Sequence, residues 1–189
     1  LRIPEKRADS VTEEEVKFAI AEGTEAGVID EVEEEMIHGV LRLADSSVAS
    51  IMIPRPDVYW IDLSDDRTVI DREIADCPYS RIVVARDGDL GKPLGVVQKR
   101  DLVSGLVANG KIDIEANLRE PTYVPEYISV LRLLEIFRKT PVHIAFVVDE
   151  YGDFLGLVSL TDVLSAVAGE IPEEHDSGAQ NMKRRADGS

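Results

Sequence analysis

The apolar residues of this chain follow two different rhythms, which separate a short N-terminal part from a longer part. Residues 1–10 are polar and predict a linker. A capping box at Thr12 and Glu15 predicts a short helix, and from Asp30 apolar residues at intervals of three and four predict a second, amphipathic helix. From Val48 onward, short apolar runs alternate with helical patterns. The chain is therefore predicted to begin with helices and to continue as a mixed α+β region.

The mixed region contains one short unit twice. Leu94–Val103 and Leu155–Leu164 each comprise an apolar strand with a glycine, a polar turn, and an aspartate that opens an amphipathic helix. The two glycines, Gly95 and Gly156, are separated by the same number of residues as the two aspartates, Asp101 and Asp162. This equal spacing predicts a tandem repeat of one supersecondary unit.

Each copy of the repeat is predicted to run strand, helix, strand, strand, helix. In the first copy these elements lie near Val58–Ile61, Val69–Asp76, Arg81–Ala85, Leu94–Val97 and Asp101–Ala108. In the second copy they lie near Tyr123–Val124, Ser129–Lys139, Ile144–Val148, Phe154–Ser159 and Thr161–Ala168. The predicted organisation is an N-terminal part over residues 1–47, a first repeat over 48–112, a second repeat over 113–172 and a linker over 173–189.

Composition narrows the choice of partners. The chain has 37 Asp and Glu against 21 Lys and Arg, a net charge of −16, so as a whole it repels nucleic acid, which is not an expected partner. A single cysteine, Cys77, excludes an intramolecular disulfide and fits a reducing compartment. Because no apolar run reaches the roughly 18 residues that span a bilayer and no signal peptide opens the chain, these residues themselves are expected to be soluble.

The polar residues of the second copy suit a nucleotide. Gly156 allows another backbone or a ligand to approach closely, and the Ser159 hydroxyl can donate to an anion. Asp162 offers two acceptor oxygens for the vicinal hydroxyls of a ribose, and the start of its helix favours a phosphate. The alternative is that Ser159 and Asp162 only cap the helix.

Catalytic residues and a metal site are not predicted. The glutamates after Asp30 complement the dipole of a helix and lack the glycine turn of a hard-cation loop. The three histidines lack metal-ligand spacing, and Cys77 has no neighbouring base in the sequence. No nucleophile accompanies Asp162, so an enzyme is not expected.

Several motifs of this chain are shared with a known family. They are Ile51–Arg55 followed by Asp57, Tyr79–Ile82, Ala145–Gly152, Gly156–Leu164 and Gly169–Pro172. In these motifs the chain resembles the tandem CBS-domain module of the CorC/HlyC family, the hemolysin-like magnesium and cobalt efflux proteins. The likeness extends from about Thr12 to Asp176. It implies an α+β fold of two βαββα repeats related by a pseudo-twofold axis, with N-terminal helices, and a truncated C-terminal domain after the linker.

The resemblance implies two clefts between the repeats, each lined by residues of both copies. The expected ligand is an adenosine nucleotide (AMP, ADP or ATP), with or without Mg²⁺. The better cleft is expected to use Ile53, Tyr79, Ser80, Arg81 and Ile82 with Ser159, Thr161 and Asp162. The opposite cleft is expected to pair Val124, His143, Ile144 and Ala145 with Gln98 and Asp101. In that second cleft Gln98 replaces a small hydroxyl residue, which counts against occupancy.

The function implied by the resemblance is regulatory. Nucleotide binding is expected to change how two modules pack and to signal to a membrane transport domain that precedes the chain, with the module on the cytoplasmic face of the membrane. A homodimer is expected, because Leu131, Leu134 and Phe137 form an apolar helical face that one chain leaves uncovered. The alternative is a ligand-free scaffold for protein interaction and dimerisation.

Overall fold

The computed structural model describes residues 11–168, in which two helices precede two strand-helix-strand-strand-helix units. The helices are α1 (Glu13–Glu25), α2 (Glu31–Ala44), α3 (Arg67–Asp76), α4 (Lys99–Asn109), α5 (Val130–Phe137) and α6 (Leu160–Ala168). The strands are β1 (Ile53–Pro54), β2 (Trp60–Asp62), β3 (Arg81–Ala85), β4 (Gly95–Gln98), β5 (Thr122–Pro125), β6 (Ile144–Val148) and β7 (Phe154–Ser159). The α+β class and the order of elements in both repeats are confirmed. The predictions for residues 1–10 and 169–189 lie outside the described residues.

Both N-terminal helices begin with a capping box. At α1, the Glu15 backbone N–H donates to the Thr12 hydroxyl at 3.2 Å, and the Thr12 N–H donates to the Glu15 carboxylate at 2.8 Å. At α2, Asp30 and Glu33 exchange the same two bonds at 2.8 and 3.2 Å. Each box satisfies two backbone donors that a helix leaves unpaired at its start. The helices therefore begin where the sequence predicts.

Each repeat contributes a three-stranded sheet of the same connectivity. In the first, β2 is parallel to β3 and β3 is antiparallel to β4; in the second, β5, β6 and β7 repeat this arrangement. One face of each sheet packs on its own helices, around Ile82 and Leu102 in the first repeat and Leu133 and Val158 in the second. Alternation of side chains along a strand leaves the opposite face free to pack elsewhere.

The two sheets pack face to face through those opposite faces. Val83 and Val96 of the first sheet share one buried cluster with Ile144, Phe146 and Leu157 of the second. Burial of these apolar side chains favours association of the repeats. The repeats therefore share a core.

The repeats also exchange short extended segments. Strand β1 leads into the first repeat but pairs antiparallel with β7 of the second, with Ile53 opposite Leu157. Conversely, Arg119 precedes β5 of the second repeat but bridges to Val96 of β4 in the first, with two backbone hydrogen bonds of 2.9 Å. The sequence analysis did not predict β1, because a two-residue strand that contains a proline has almost no periodicity.

A glycine permits each of these crossings. A Cβ atom added to Gly156 would overlap the Ile53 carbonyl oxygen, and one added to Gly95 would lie 2.6 Å from the Arg119 carbonyl oxygen. The close approach expected at Gly156 is therefore made by backbone. Because the two glycines occupy equivalent places in the repeats, Ile53 and Arg119 also occupy equivalent places.

Candidate functional site

Arg81 and Ser159 come from different repeats and face the space between the sheets. Arg81 begins β3 two residues before Val83, and Ser159 ends β7 two residues after Leu157. Val83 and Leu157 both belong to the cluster between the sheets. Because residues two apart on a strand share a face, the Arg81 and Ser159 side chains lie on the side where the repeats meet.

Arg81 carries an unsatisfied donor. Its Nε atom is buried and has no hydrogen-bond partner among residues 11–168. Leaving a buried donor unpaired costs about 1–3 kcal/mol, and more when the group is charged. A guanidinium stays protonated at all ordinary pH values, so an acceptor, above all an anion, would remove this cost.

Ser159 and Asp162 form a cap at the start of α6. One carboxylate oxygen of Asp162, Oδ2, accepts from the Ser159 backbone N–H at 2.6 Å and from its hydroxyl at 2.7 Å. The Asp162 N–H in turn donates to the Ser159 hydroxyl oxygen at 3.3 Å. The contacts of the capping alternative are therefore present. The Ser159 hydroxyl, which was expected to donate its proton to an anion, donates it to Asp162 instead. The other carboxylate oxygen, Oδ1, takes no part in this cap and can accept from a ligand.

An aromatic ring lies two residues before β3. Tyr79 is about half exposed, at 47%, and its ring meets that of Tyr59 edge-on with the centroids 6.1 Å apart. The exposed half of the Tyr79 side chain is an aromatic surface beside the start of β3. The neighbouring Ser80 is exposed, and its carbonyl oxygen accepts from the Lys99 backbone N–H at 2.9 Å.

The remaining residues of the first predicted cleft differ in accessibility. Ile53 is partly buried and is held beside β7 by its pairing with Leu157. Thr161 is exposed in the first turn of α6. Ile82 has no exposed surface and packs in the helix-covered core of the first repeat, so only its backbone can reach a ligand.

Two titratable groups that contact Tyr79, the Tyr59 hydroxyl and the Cys77 thiol, are held neutral. Burial raises the pKa of Tyr59 to about 12, and charge repulsion from Cys77, Glu73 and Asp76 adds to this effect. The Tyr59 hydroxyl donates to the Glu73 carbonyl oxygen at 2.8 Å. Burial also raises the pKa of the Cys77 thiol, against a smaller lowering by the Tyr79 backbone and by Lys99. Since a reactive cysteine needs a lowered pKa, Cys77 has the properties of a packing residue.

The second predicted cleft contains an ion pair. A terminal guanidinium nitrogen of Arg119 (Nη2) lies 2.6 Å from Oδ2 of Asp101, and Nε of Arg100 lies 3.5 Å from Oδ1. Gln98 is buried and lies directly opposite Arg81 on the neighbouring strand, so residues predicted for different clefts are neighbours in one sheet. The sequence analysis missed Arg119; aligning the segment before β5 with the one before β2 could have found it.

The strand residues predicted for the second cleft are mostly core residues. Val124 and Ala145 belong to the core of the second repeat, and Ile144 belongs to the cluster between the sheets. The His143 ring lies against Phe137 with centroids 6.2 Å apart, and its carbonyl oxygen accepts from the Leu160 N–H at 3.2 Å. Little side-chain surface of this set is available to a ligand.

Two open cavities lie away from both predicted clefts. One, of about 430 Å³, borders the start of α3 and contains Arg67, Arg86 and Lys111 together with acidic residues. The other, of about 460 Å³, lies between the hairpin loops at Asp89 and Asp149. Neither cavity is lined by a residue of the predicted clefts. The support for the candidate nucleotide site therefore comes from its polar side chains and from the strand faces that carry them.

Other kinds of site find little support in the described part of the chain. Within residues 11–168, no cluster of three or more His, Cys, Asp or Glu residues is arranged to hold a metal ion. Each helix in the same range is too short or too polar to traverse a bilayer.

Comparison with sequences relates this chain to CBS-domain proteins and to several longer bacterial proteins. A family model described as "CBS domain" matches residues 113–169. The chain is 39% identical over 187 residues to the UPF0053 protein sll0260 of Synechocystis sp., covering 99% of this chain and 42% of that protein. It is 35% identical to hemolysin C of Brachyspira hyodysenteriae (97% and 65% covered) and 28% identical to the polyamine export protein of Escherichia coli (90% and 38%). The chain therefore spans roughly two fifths to two thirds of these relatives.

Comparison with solved structures gives the same relationship. The CBS domain of a bacterial CNNM/CorC family Mg²⁺ transporter matches at 34% identity and a TM-score of 0.73, covering 87% of this chain and all of that one. A complex of such a domain with ATP matches at 34% identity and 0.65, covering 74% and 99%. A CBS-domain pair with bound AMP from Klebsiella pneumoniae matches at 31% identity and 0.61, covering 66% and 100%.

Proposed function

We propose that this chain, which belongs to the CBS-domain modules of the CNNM/CorC family, binds an adenosine nucleotide between its repeats and regulates a transporter. Similar modules have been solved with ATP and with AMP. The observation that carries the proposal is the buried Nε of Arg81, which has no hydrogen-bond partner among residues 11–168 and lies on the side where the repeats meet. A nucleotide phosphate supplies the acceptor that this guanidinium lacks.

Each part of the nucleotide has a matching group on this chain. Arg81 takes a phosphate, and the exposed ring of Tyr79 takes the base. The free oxygen of Asp162 takes the ribose hydroxyls, next to Ser159 and Thr161. Main-chain groups of Ile53, Ser80 and Ile82 complete this cleft. With ATP, Mg²⁺ would be held chiefly through the phosphates, as is usual for this ion.

The regulated activity belongs to the longer protein. The chain spans 42% of its cyanobacterial relative, and we propose that a membrane transport domain precedes it and that the module lies on the cytoplasmic face. The names of the relatives include an Mg²⁺ transporter and a polyamine exporter, so magnesium and polyamines are cargoes to test, together with the cobalt that the family resemblance implies. Nucleotide binding would act by changing how two modules pack.

The surface proposed for dimerisation differs from the one expected from the sequence. Phe137 is buried and Leu134 packs against the core, which leaves Leu131 alone exposed on that face. Helix α4 instead exposes Val107 at 83% and, one turn earlier, Val103 at 51%. We place the contact between two copies at α4, because exposed aliphatic side chains on successive turns gain most from burial.

The second candidate function is a scaffold whose clefts stay empty. It is favoured by the cap that already occupies Ser159 and one oxygen of Asp162, and by the ion pair on Asp101. In that case the module would act only through its surface and its assembly.

Isothermal titration calorimetry separates the two functions. AMP, ADP and ATP, each with and without Mg²⁺, are titrated into the chain, and inorganic tripolyphosphate serves as the control for simple anion attraction. Saturable binding of a nucleotide, tighter than that of tripolyphosphate, supports the proposal. Absence of heat with all three nucleotides supports the scaffold. Phosphate release from ATP that disappears in Asp162→Ala would instead indicate an enzyme.

A further inference from the structure

The two repeats differ at one pair of equivalent positions that lies beside the clefts. The Ile53 carbonyl crosses over Gly156, and the Arg119 carbonyl crosses over Gly95, in the same way. Each crossing segment bridges to the strand that carries the glycine. At this position the first cleft has the aliphatic side chain of Ile53, and the second cleft has the guanidinium of Arg119.

That guanidinium binds the acid that the second cleft would need for a ribose. Asp101 corresponds to Asp162, and its Oδ2 atom is 2.6 Å from Nη2 of Arg119. The Asp101 side chain is only 24% exposed, and Arg100 neighbours its second oxygen. By contrast, no ion pair to Asp162 forms within residues 11–168, where its contacts are those of its own cap.

The backbone holds Arg119 in this place. Two backbone hydrogen bonds to Val96, both 2.9 Å, fix the segment from which the side chain extends. A ribose that approached Asp101 would have to separate the ion pair and also pass Gln98, which is 92% buried where the other repeat has Ser159. The second cleft is thus obstructed by a charge and by a larger side chain.

We propose that Arg119 is a built-in occupant of the second cleft and restricts each chain to one nucleotide. This inference rests on the proposed function, because it concerns which of the two clefts takes the ligand. It assigns to Arg119 a specificity role that the motifs of the repeat do not carry. Removing the guanidinium and the bulk of Gln98 should convert the second cleft into a copy of the first.

The stoichiometry of nucleotide binding tests this directly. Calorimetry with AMP and with ATP and Mg²⁺ is performed on the unmodified chain, on the double variant Arg119→Ile/Gln98→Ser, and on Arg100→Ile. The double variant gives the second cleft the isoleucine and serine that Ile53 and Ser159 provide in the first cleft, while Arg100→Ile removes an adjacent cation. We expect one site in the unmodified chain, two in the double variant and one in Arg100→Ile.

The outcomes separate this inference from the proposed function. Two sites in the unmodified chain, or no additional site in a folded double variant, would overturn the role of Arg119 while leaving nucleotide binding intact. If the unmodified chain binds no nucleotide, the proposed function fails. The role of Arg119 is then supported by one gained site in the double variant and overturned by none.

A second measurement covers a double variant that fails to fold by circular dichroism. The unmodified chain is labelled with 8-azido-ATP under light, and the labelled peptides are mapped by mass spectrometry. Labels confined to the peptide that contains Tyr79 support one open cleft. Labels on the peptide that contains His143 and Ile144, competed by ATP, would overturn the inference.

Discussion

Asp162→Ala tests whether Asp162, which caps α6, also binds the nucleotide as proposed. The substitution removes the Oδ1 acceptor offered to the ribose and also the Oδ2 acceptor of the Ser159 bonds at 2.6 and 2.7 Å. Hydrogen bonds to a charged group contribute about 1.5–3 kcal/mol, so nucleotide affinity should fall by about 2 kcal/mol, or roughly 30-fold. Loss of the cap should independently lower the free energy of unfolding by about 1 kcal/mol.

The control variant loses a cap without touching the cleft. Asp30→Ala removes the acceptor of the Glu33 N–H at the start of α2, which is a contact of the same kind. Both variants should lower the melting temperature by roughly 2–4 °C, as expected for about 1 kcal/mol in a chain of this size. Only Asp162→Ala should weaken nucleotide binding in calorimetry. If both variants lose stability and both retain full affinity, Asp162 is a capping residue only and the cleft is wrongly assigned.

Three further substitutions test the packing, the titration and the assembly. Gly39→Ala places a Cβ against the Val167 carbonyl oxygen and should lower the free energy of unfolding by about 1–3 kcal/mol in urea titrations. In the control Gly105→Ala the nearest neighbour is 3.9 Å away, so this variant should be neutral or stabilising. Equal effects of the two substitutions would contradict the tight contact between α2 and α6. Because the pKa of Tyr59 is raised from 10.0 to about 12, the folded chain keeps the hydroxyl proton to a higher pH than the unfolded chain does, and the free energy of unfolding should fall between pH 10 and 12. Tyr59→Phe should flatten that fall in thermal melts across this pH range. An unchanged slope in the variant would refute the raised pKa of Tyr59. Val107→Asp should convert a dimer into a monomer by light scattering at tens of micromolar, while Leu131→Asp should not, and the reverse pattern would place the contact on α5.

The parts of the fold that could be predicted are the strands and helices whose apolar residues recur at regular intervals. Strands β3, β6 and β7 have the predicted ends, because each is a run of apolar residues bounded by turns. Helices α4 and α6 begin slightly before Asp101 and Asp162, since at α6 the aspartate lies in the first turn and Ser159 precedes the helix. The family membership predicted from short motifs is confirmed by the comparisons.

Contacts between distant segments explain what could not be predicted. The pairing of β1 with β7 depends on backbone from the far end of the chain, and no local pattern encodes it. Arg119 lies outside the repeated motif, so an alignment anchored on glycines and aspartates passes over it. Phe137 was assigned to an uncovered face because α5 is apolar around much of its circumference, and burial then depends on which neighbour packs there.

The position of α2 links the candidate site to the segment that precedes the module. Asp162 lies in the first turn of α6, and α2 packs on the same helix, with Gly39 against the backbone of Val167 near its other end. A contact between two backbones has no side chain that can rearrange, so a shift of α6 must move α2 or break the contact. The chain then passes from α2 through Val48, which is fully buried in the second repeat, into β1 beside β7. A nucleotide that repositions the start of α6 would therefore act on α2 through this contact and through the core of the second repeat, which Val163 of α6 and Leu43 of α2 share.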